Sequence, residues 1–155
     1  MPDLFTYDYA IIRVVPKVER EEFVNVGVVV SCAASKFLEA RIELNEPRLL
    51  AIDPTLDIAT LRNHLATIPQ ICVGGELAGA IGQLPPRERF HWIVAPRSAM
   101  IQTSRVHTGL CKNLSDVLEH LMNVMVRPPK TDQTCLTMTV EPIQSDWLSE
   151  SSIDP

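Results

Sequence analysis

The sequence predicts an α+β fold, with an antiparallel sheet built on an N-terminal three-stranded meander and covered by two main helices. Three observations predict it. The first 45 residues hold three runs rich in valine, isoleucine and aromatic residues, separated by short polar connections. Leucine and isoleucine then recur at helical spacing beyond Thr55, and do so again from Leu114. Between those helical segments the apolar run Phe90, Trp92, Ile93, Val94, Ala95 reads as a further buried strand of the sheet.

In chain order, Tyr7 to Val15 (YDYAIIRVV) is apolar on both faces apart from Asp8 and Arg13. Pro16 ends it, because proline has no N–H to give to a sheet interior. Lys17 to Glu22 (KVEREE) is a charged turn or a single helical turn. Phe23 to Cys32 (FVNVGVVVSC) returns as a valine-rich strand, and Gly27 within it predicts a bulge or a close backbone approach. Ala33 to Lys36 connects to Phe37–Leu44 (FLEARIEL), whose alternation of apolar and charged residues marks a half-buried strand.

From Glu46 the period changes. Leu49, Leu50 and Ile52 lead to Asp53-Pro54, a turn or helix-start signal. Leu56, Ile58, Leu61, Leu65 and Ile68 form the apolar stripe of a helix over about Thr55 to Ile68, closed by Pro69. His64 on that helix reads as a polar-face histidine with no partner. Gly74 to Pro86 is glycine-rich, but no lysine and hydroxyl follow it and no strand precedes it, so it is no phosphate-cradling loop. It reads as a flexible connection with one helical turn through Leu77 to Ile81. Asn113 or Ser115 caps a last helix along Leu114, Val117, Leu118, Leu121, Met122 and Met125, with Asp116 and Glu119 near its positive end. Arg127-Pro128-Pro129 stops it. The organisation read is one α+β domain over residues 1–130 and an extension over 131–155, with a strand at Cys135–Val140 and a disordered end.

Composition narrows the function classes. Apolar residues make up 46% and charged residues 21% of the 155, enough for a real core. The net charge of −5 argues against a protein that grips nucleic-acid backbone, which needs cationic residues to neutralise phosphates. No apolar run approaches the roughly 20 residues of a membrane helix, and MPDLFTYDYA carries no secretory pattern. The expectation is a cytoplasmic protein. The four cysteines, Cys32, Cys72, Cys111 and Cys135, are widely and irregularly spaced, so they are read as small buried hydrophobes rather than disulfides or zinc ligands. His91, His107 and His120 are scattered, and neither a metal nor a cofactor is expected.

The stretch Phe90–Cys111 (FHWIVAPRSAMIQTSRVHTGLC) holds the candidate site. Arg97 follows Pro96 at the end of the expected strand, where side chains open into a cleft, and its guanidinium fork matches carboxylate or phosphate. His107 and Thr108 precede Gly109 near the expected start of the last helix, where free N–H groups favour an anion. The expected anion site comprises Arg13, Arg97, Gln102, Ser104, His107 and Thr108. The bland alternative is that Arg13 and Arg97 pair with Glu21, Glu22 or Glu39. A Cys111–His107 dyad lacks an orienting third group.

The blocks YDYAIIRVVPKVEREEFVNVGVVV and FHWIVAPRSAMIQTSRVHTGLC resemble the two that define a bacterial family known as domain of unknown function 3037, over about Tyr7 to Met125. The resemblance singles out Arg13, Pro16, Glu21, Glu22, Asn25, Gly27, Pro96, Arg97, Gln102, Ser104, His107, Thr108 and Gly109. It implies a chain encoded beside a HipA-like kinase, and so an accessory or toxin–antitoxin role. The functional expectation is a partner-binding module whose site holds a phosphate-bearing or acidic ligand. The alternative is a phosphate-ester or nucleotide-processing enzyme with His107 as general acid or base and Arg97 stabilising charge.

Overall fold

A computed structural model describes residues 3–130. The strand expected at Cys135–Val140 and the end of the chain lie outside the described residues. The meander forms as its pattern dictates. Strand β1 (Phe5–Val14) pairs antiparallel with β2 (Val24–Cys32), and β2 with β3 (Phe37–Ile42). A single 3₁₀ turn, Val18–Arg20, separates β1 from β2.

The far side of β1 is shared by two short strands. Strand β5 (His107–Cys111) runs along Phe5–Tyr9, and β4 (Ile101–Thr103) runs along Ile12–Val14. Ser104 bridges the gap between them. Its N–H donates to the Ile11 carbonyl at 2.8 Å, and its hydroxyl accepts the Ile11 N–H at 2.8 Å. One serine thus satisfies both backbone groups of Ile11 where neither strand reaches.

Helices cover both faces of this five-stranded sheet. On one face Ala10, Ile12 and Val14 pack with Leu49 of α1 (Glu46–Ile52), Leu61, Leu65 and Ile68 of α2 (Ile58–Val73), and Phe90 and Ile93 of α3 (Pro86–Val94). On the other, Val28 and Val30 pack with Val117, Leu118 and Leu121 of α4 (Leu114–Leu121), joined by Tyr7 and Tyr9. Strand β2 is therefore apolar on both sides, which is why its sequence is a valine run rather than an alternation. A bulge sits in it: Ile12 pairs with Gly27 but Arg13 with Asn25, leaving Val26 as the extra residue. The extra residue reverses the facing, so that Val24 and Val26 share a side with Val29 while Val28 and Val30 turn to α4. At Gly27 a Cβ would sit 2.5 Å from the Arg41 carbonyl oxygen, so the close approach expected there is real.

The structure corrects three expectations. Phe90–Ala95 is not a strand; Phe90–Val94 belongs to α3 and Ala95 follows it as the C-cap. Pro86 occupies the first helical turn with its φ already set, Pro85 before it is extended, and inward-facing Phe90 and Ile93 keep helical spacing. A five-residue apolar run fits either structure, and the proline pair decides for helix. Pro69 does not close α2, which continues to Val73 because Ile71 and Cys72 still have core to fill. Arg89, only 8% exposed, caps that extension. Its Nη1 donates to the carbonyls of Ile71 (2.7 Å) and Cys72 (2.6 Å), and its Nε to that of Leu84 (2.9 Å). A cation on orphan carbonyls at a helix C-terminus answers both their hydrogen bonds and the dipole. Finally, His107 and Thr108 do not lie at a helix start. They are in β5, and α4 begins six residues beyond Thr108, at Leu114, capped by the Asn113 side chain accepting from the Ser115 N–H.

Candidate functional site

Register brings part of the expected site together. Arg13 on β1 pairs directly with Gln102 on β4, and the loop between α3 and β4 returns Arg97 to the same place. Arg13, Arg97, Gln102, Ser98, Glu21 and Phe23 line one cavity of about 400 Å³. The Arg13 guanidinium lies 4.4 Å from the centre of the Phe23 ring and donates from Nη2 to the Thr103 carbonyl at 3.3 Å. Its buried Nε has no hydrogen-bond partner among the described residues. The Arg97 guanidinium stacks 4.1 Å over the Trp92 ring and donates to the Trp92 carbonyl at 2.7 Å. Among the described residues neither guanidinium forms an ion pair, and Glu22, one of their expected partners, is held by Arg20 instead. Glu21 offsets one of the two charges lining the cavity, which leaves it cationic by about one unit.

Ser104, His107 and Thr108 go elsewhere. The Ser104 hydroxyl accepts from Ile11 and spends its single donor on the Arg105 carbonyl at 2.9 Å, leaving none for an anion. His107 pairs with Tyr9, and their rings stand 5.3 Å apart. Tyr9 is four residues from Arg13 along β1, roughly 13 Å at the usual rise of about 3.3 Å per residue, so His107 does not share a small anion with Arg13. Gly109 opposes Tyr7, whose phenol lies across it and leaves no room for a side chain.

Thr108 serves a different cluster, in which its hydroxyl donates to Asp8 Oδ1 at 2.6 Å and Arg87 pairs with Asp8 Oδ2 at 2.7 Å. Burial pushes the Asp8 carboxyl up, but the hydrogen bonds from Thr108 and Arg87 and the Arg87 charge more than offset it and hold it below the usual range. A carboxyl whose folded value is depressed stabilises above its unfolded value, and that stability is lost as pH falls through the folded one. Asp8→Asn should therefore flatten the acid side of the stability profile below about pH 4, read from melting temperature against pH. An unchanged acid limb would show that this cluster carries no net stabilisation.

A second and larger cavity, about 480 Å³, lies between α2 and the α3–β4 segment. Leu61, Ile68, Ile93, Met100 and Ile101 supply its apolar wall, and His64, Trp92, Arg97 and Gln102 also line it. Arg97 and Gln102 thus border both cavities. Three residues that line one or other cavity are not evident from sequence. Phe23 reads as the first residue of a strand, Trp92 as core, and His64 as a surface histidine. For Trp92 the one signal is its place five residues before Arg97, and Phe23 and His64 carry none.

A family model described as "Protein of unknown function (DUF3037)" matches residues 9–126. The chain belongs to that family. The DUF3037 match runs from Tyr9 in β1 to Val126, just past α4, and so takes in Arg13, Arg97, Gln102 and every strand pairing that positions them. No curated protein and no solved structure was found to match.

In this DUF3037 chain neither Cys72 nor Cys111 is poised as a nucleophile. Burial pushes the Cys72 thiol up to about 12 despite the nearby Arg89 charge, and burial also raises Cys111. His107 and Cys111 stand four residues apart on β5, so no helical turn brings them together. No helix among the described residues is long and apolar enough to cross a membrane.

Proposed function

We propose that this protein is an interaction module whose Arg13–Arg97 cavity holds a phosphate or carboxylate group of a ligand or partner. One observation carries the reading: the Arg13 guanidinium, with a buried and unbonded Nε, shares a cavity with Arg97, and neither has an acidic partner among the described residues. A guanidinium held partly away from water without a carboxylate partner is costly, and an anion in the cavity is the partner that meets its remaining fork of donors. Ser98 adds a hydroxyl to the wall beside the two guanidiniums. An accessory role beside a HipA-like kinase, implied by the family resemblance, is the cellular form of this reading, because such a partner offers phosphorylated groups. The anion reading is preferred to the enzymatic alternative, which pairs His107 with Arg97, because His107 lies beside Tyr9 towards the other end of β1.

Titration with inorganic phosphate, followed by amide chemical shifts, tests it. Shifts are expected at Arg13, Ser98 and Gln102. Arg13→Ala and Arg97→Ala should each weaken binding about tenfold, as loss of a charge-assisted hydrogen bond does, with the circular-dichroism spectrum unchanged. His107→Ala should bind as the parent does. Phosphate that leaves these amides unmoved, or binds Arg13→Ala equally well, rules the reading out.

A further inference from the structure

The larger cavity deepens that reading and rests on it. Its volume falls in the range of small-molecule pockets, and the surface it presents is mostly apolar. Several of its polar groups are spent inside the protein. Both Asp57 oxygens accept from Thr60, the Thr67 hydroxyl donates to the His64 carbonyl, and Gln102 Nε2 donates to the Ala99 carbonyl. A nucleobase or sugar needs partners for several donors and acceptors and would find few here, whereas a hydrocarbon body needs none. At the border with the cationic cavity stands Arg97, with only one donor spent on the Trp92 carbonyl. Trp92, 39% exposed, holds the guanidinium from its ring face and also lines the apolar chamber. An apolar space ending at a fixed guanidinium selects for molecules that are themselves divided in that way.

We propose that the two cavities form one amphipathic site, taking a free aliphatic carboxylate with its chain between α2 and α3 and its anionic end at Arg97 and Arg13. The chain supplies affinity by burial and the guanidiniums supply orientation.

Calorimetric titration of the full chain with acetate, butyrate, hexanoate, octanoate and decanoate tests this, with inorganic phosphate and decanol alongside. Affinity should rise about fourfold for each methylene added until the chamber is full, the equivalent of about 0.8 kcal/mol per buried methylene. Decanol, lacking the charge, should bind at least about tenfold more weakly than decanoate. Thr67→Trp, which places an indole on the rim of the chamber from an exposed position of α2, should weaken decanoate about tenfold and leave phosphate unaffected. Arg97→Ala should weaken both. Phosphate binding that depends on Arg13 and Arg97, together with carboxylate affinity that does not grow with chain length or ignores Thr67→Trp, overturns this inference and leaves the anion reading standing. Decanol binding as tightly as decanoate, with no phosphate binding, overturns the anion reading and this inference with it.

Discussion

Alanine in place of Arg89 is expected to lower the stability of the fold by about 3 kcal/mol, a fall in melting temperature on the order of 10 °C. The change removes three hydrogen bonds and strands the carbonyls of Ile71, Cys72 and Leu84 in a site where Arg89 itself is only 8% exposed. Breaking one partner of a buried charged interaction costs more than the interaction contributed, because the remaining polar groups lose both protein and water. Lysine cannot reproduce a fork that serves three carbonyls and should recover less than half of the loss. Differential scanning calorimetry of Arg89→Ala and Arg89→Lys decides it. A melting temperature within about 2 °C of the parent for the alanine variant would mean that α2 ends without help from α3.

Phe90→Ala should cost a similar or larger amount, about 4 kcal/mol, since the ring is 1% exposed and packs among Leu49, Leu61 and Val14 of the larger core. Its value lies in the comparison with Trp92. In a strand, residues 90 and 92 share a face and truncating either would be equally damaging. In α3 they diverge by about 200° around the axis. Trp92 stays 39% exposed and touches the Arg97 guanidinium rather than the core centre. Trp92→Ala should therefore cost about 1 kcal/mol or less while disturbing anion binding. Urea unfolding of both variants measures it. Equal losses at the two positions would contradict the helix.

The sheet was more legible than the site because β-branched runs, the alternation in β3 and proline stops act locally. Strands β1, β2 and β3, the bulge near Gly27 and the Asn113 cap can each be argued from a few adjacent residues. The Phe90 helix was not legible, since a short apolar run has no period of its own and only Pro85-Pro86 distinguishes it. Helix α1 was missed for the same reason, with Leu49, Leu50 and Ile52 too few to establish a period. For the site, a cluster of polar residues in sequence proved to be a cluster split by geometry. Arg13 and Arg97 meet because β1 pairs with β4, whereas Ser104, His107 and Thr108, though closer to Arg97 in sequence than Arg13 is, are drawn away along β1. Adjacency in the chain cannot reveal which way a returning strand runs.

Because β1 takes one neighbour from the next twenty residues and the other from about ninety residues downstream, half of its backbone pairing waits on the C-terminal third of the domain. On a ribosome, the meander would emerge with a bare edge on β1 and with β2 still lacking α4 on one side. Such non-local closure slows folding and exposes the valine run to neighbouring nascent chains in the interval. A chain terminated before His107 would keep all three meander strands yet lack the partner for Phe5–Tyr9, and it should partition into aggregates when translated alone.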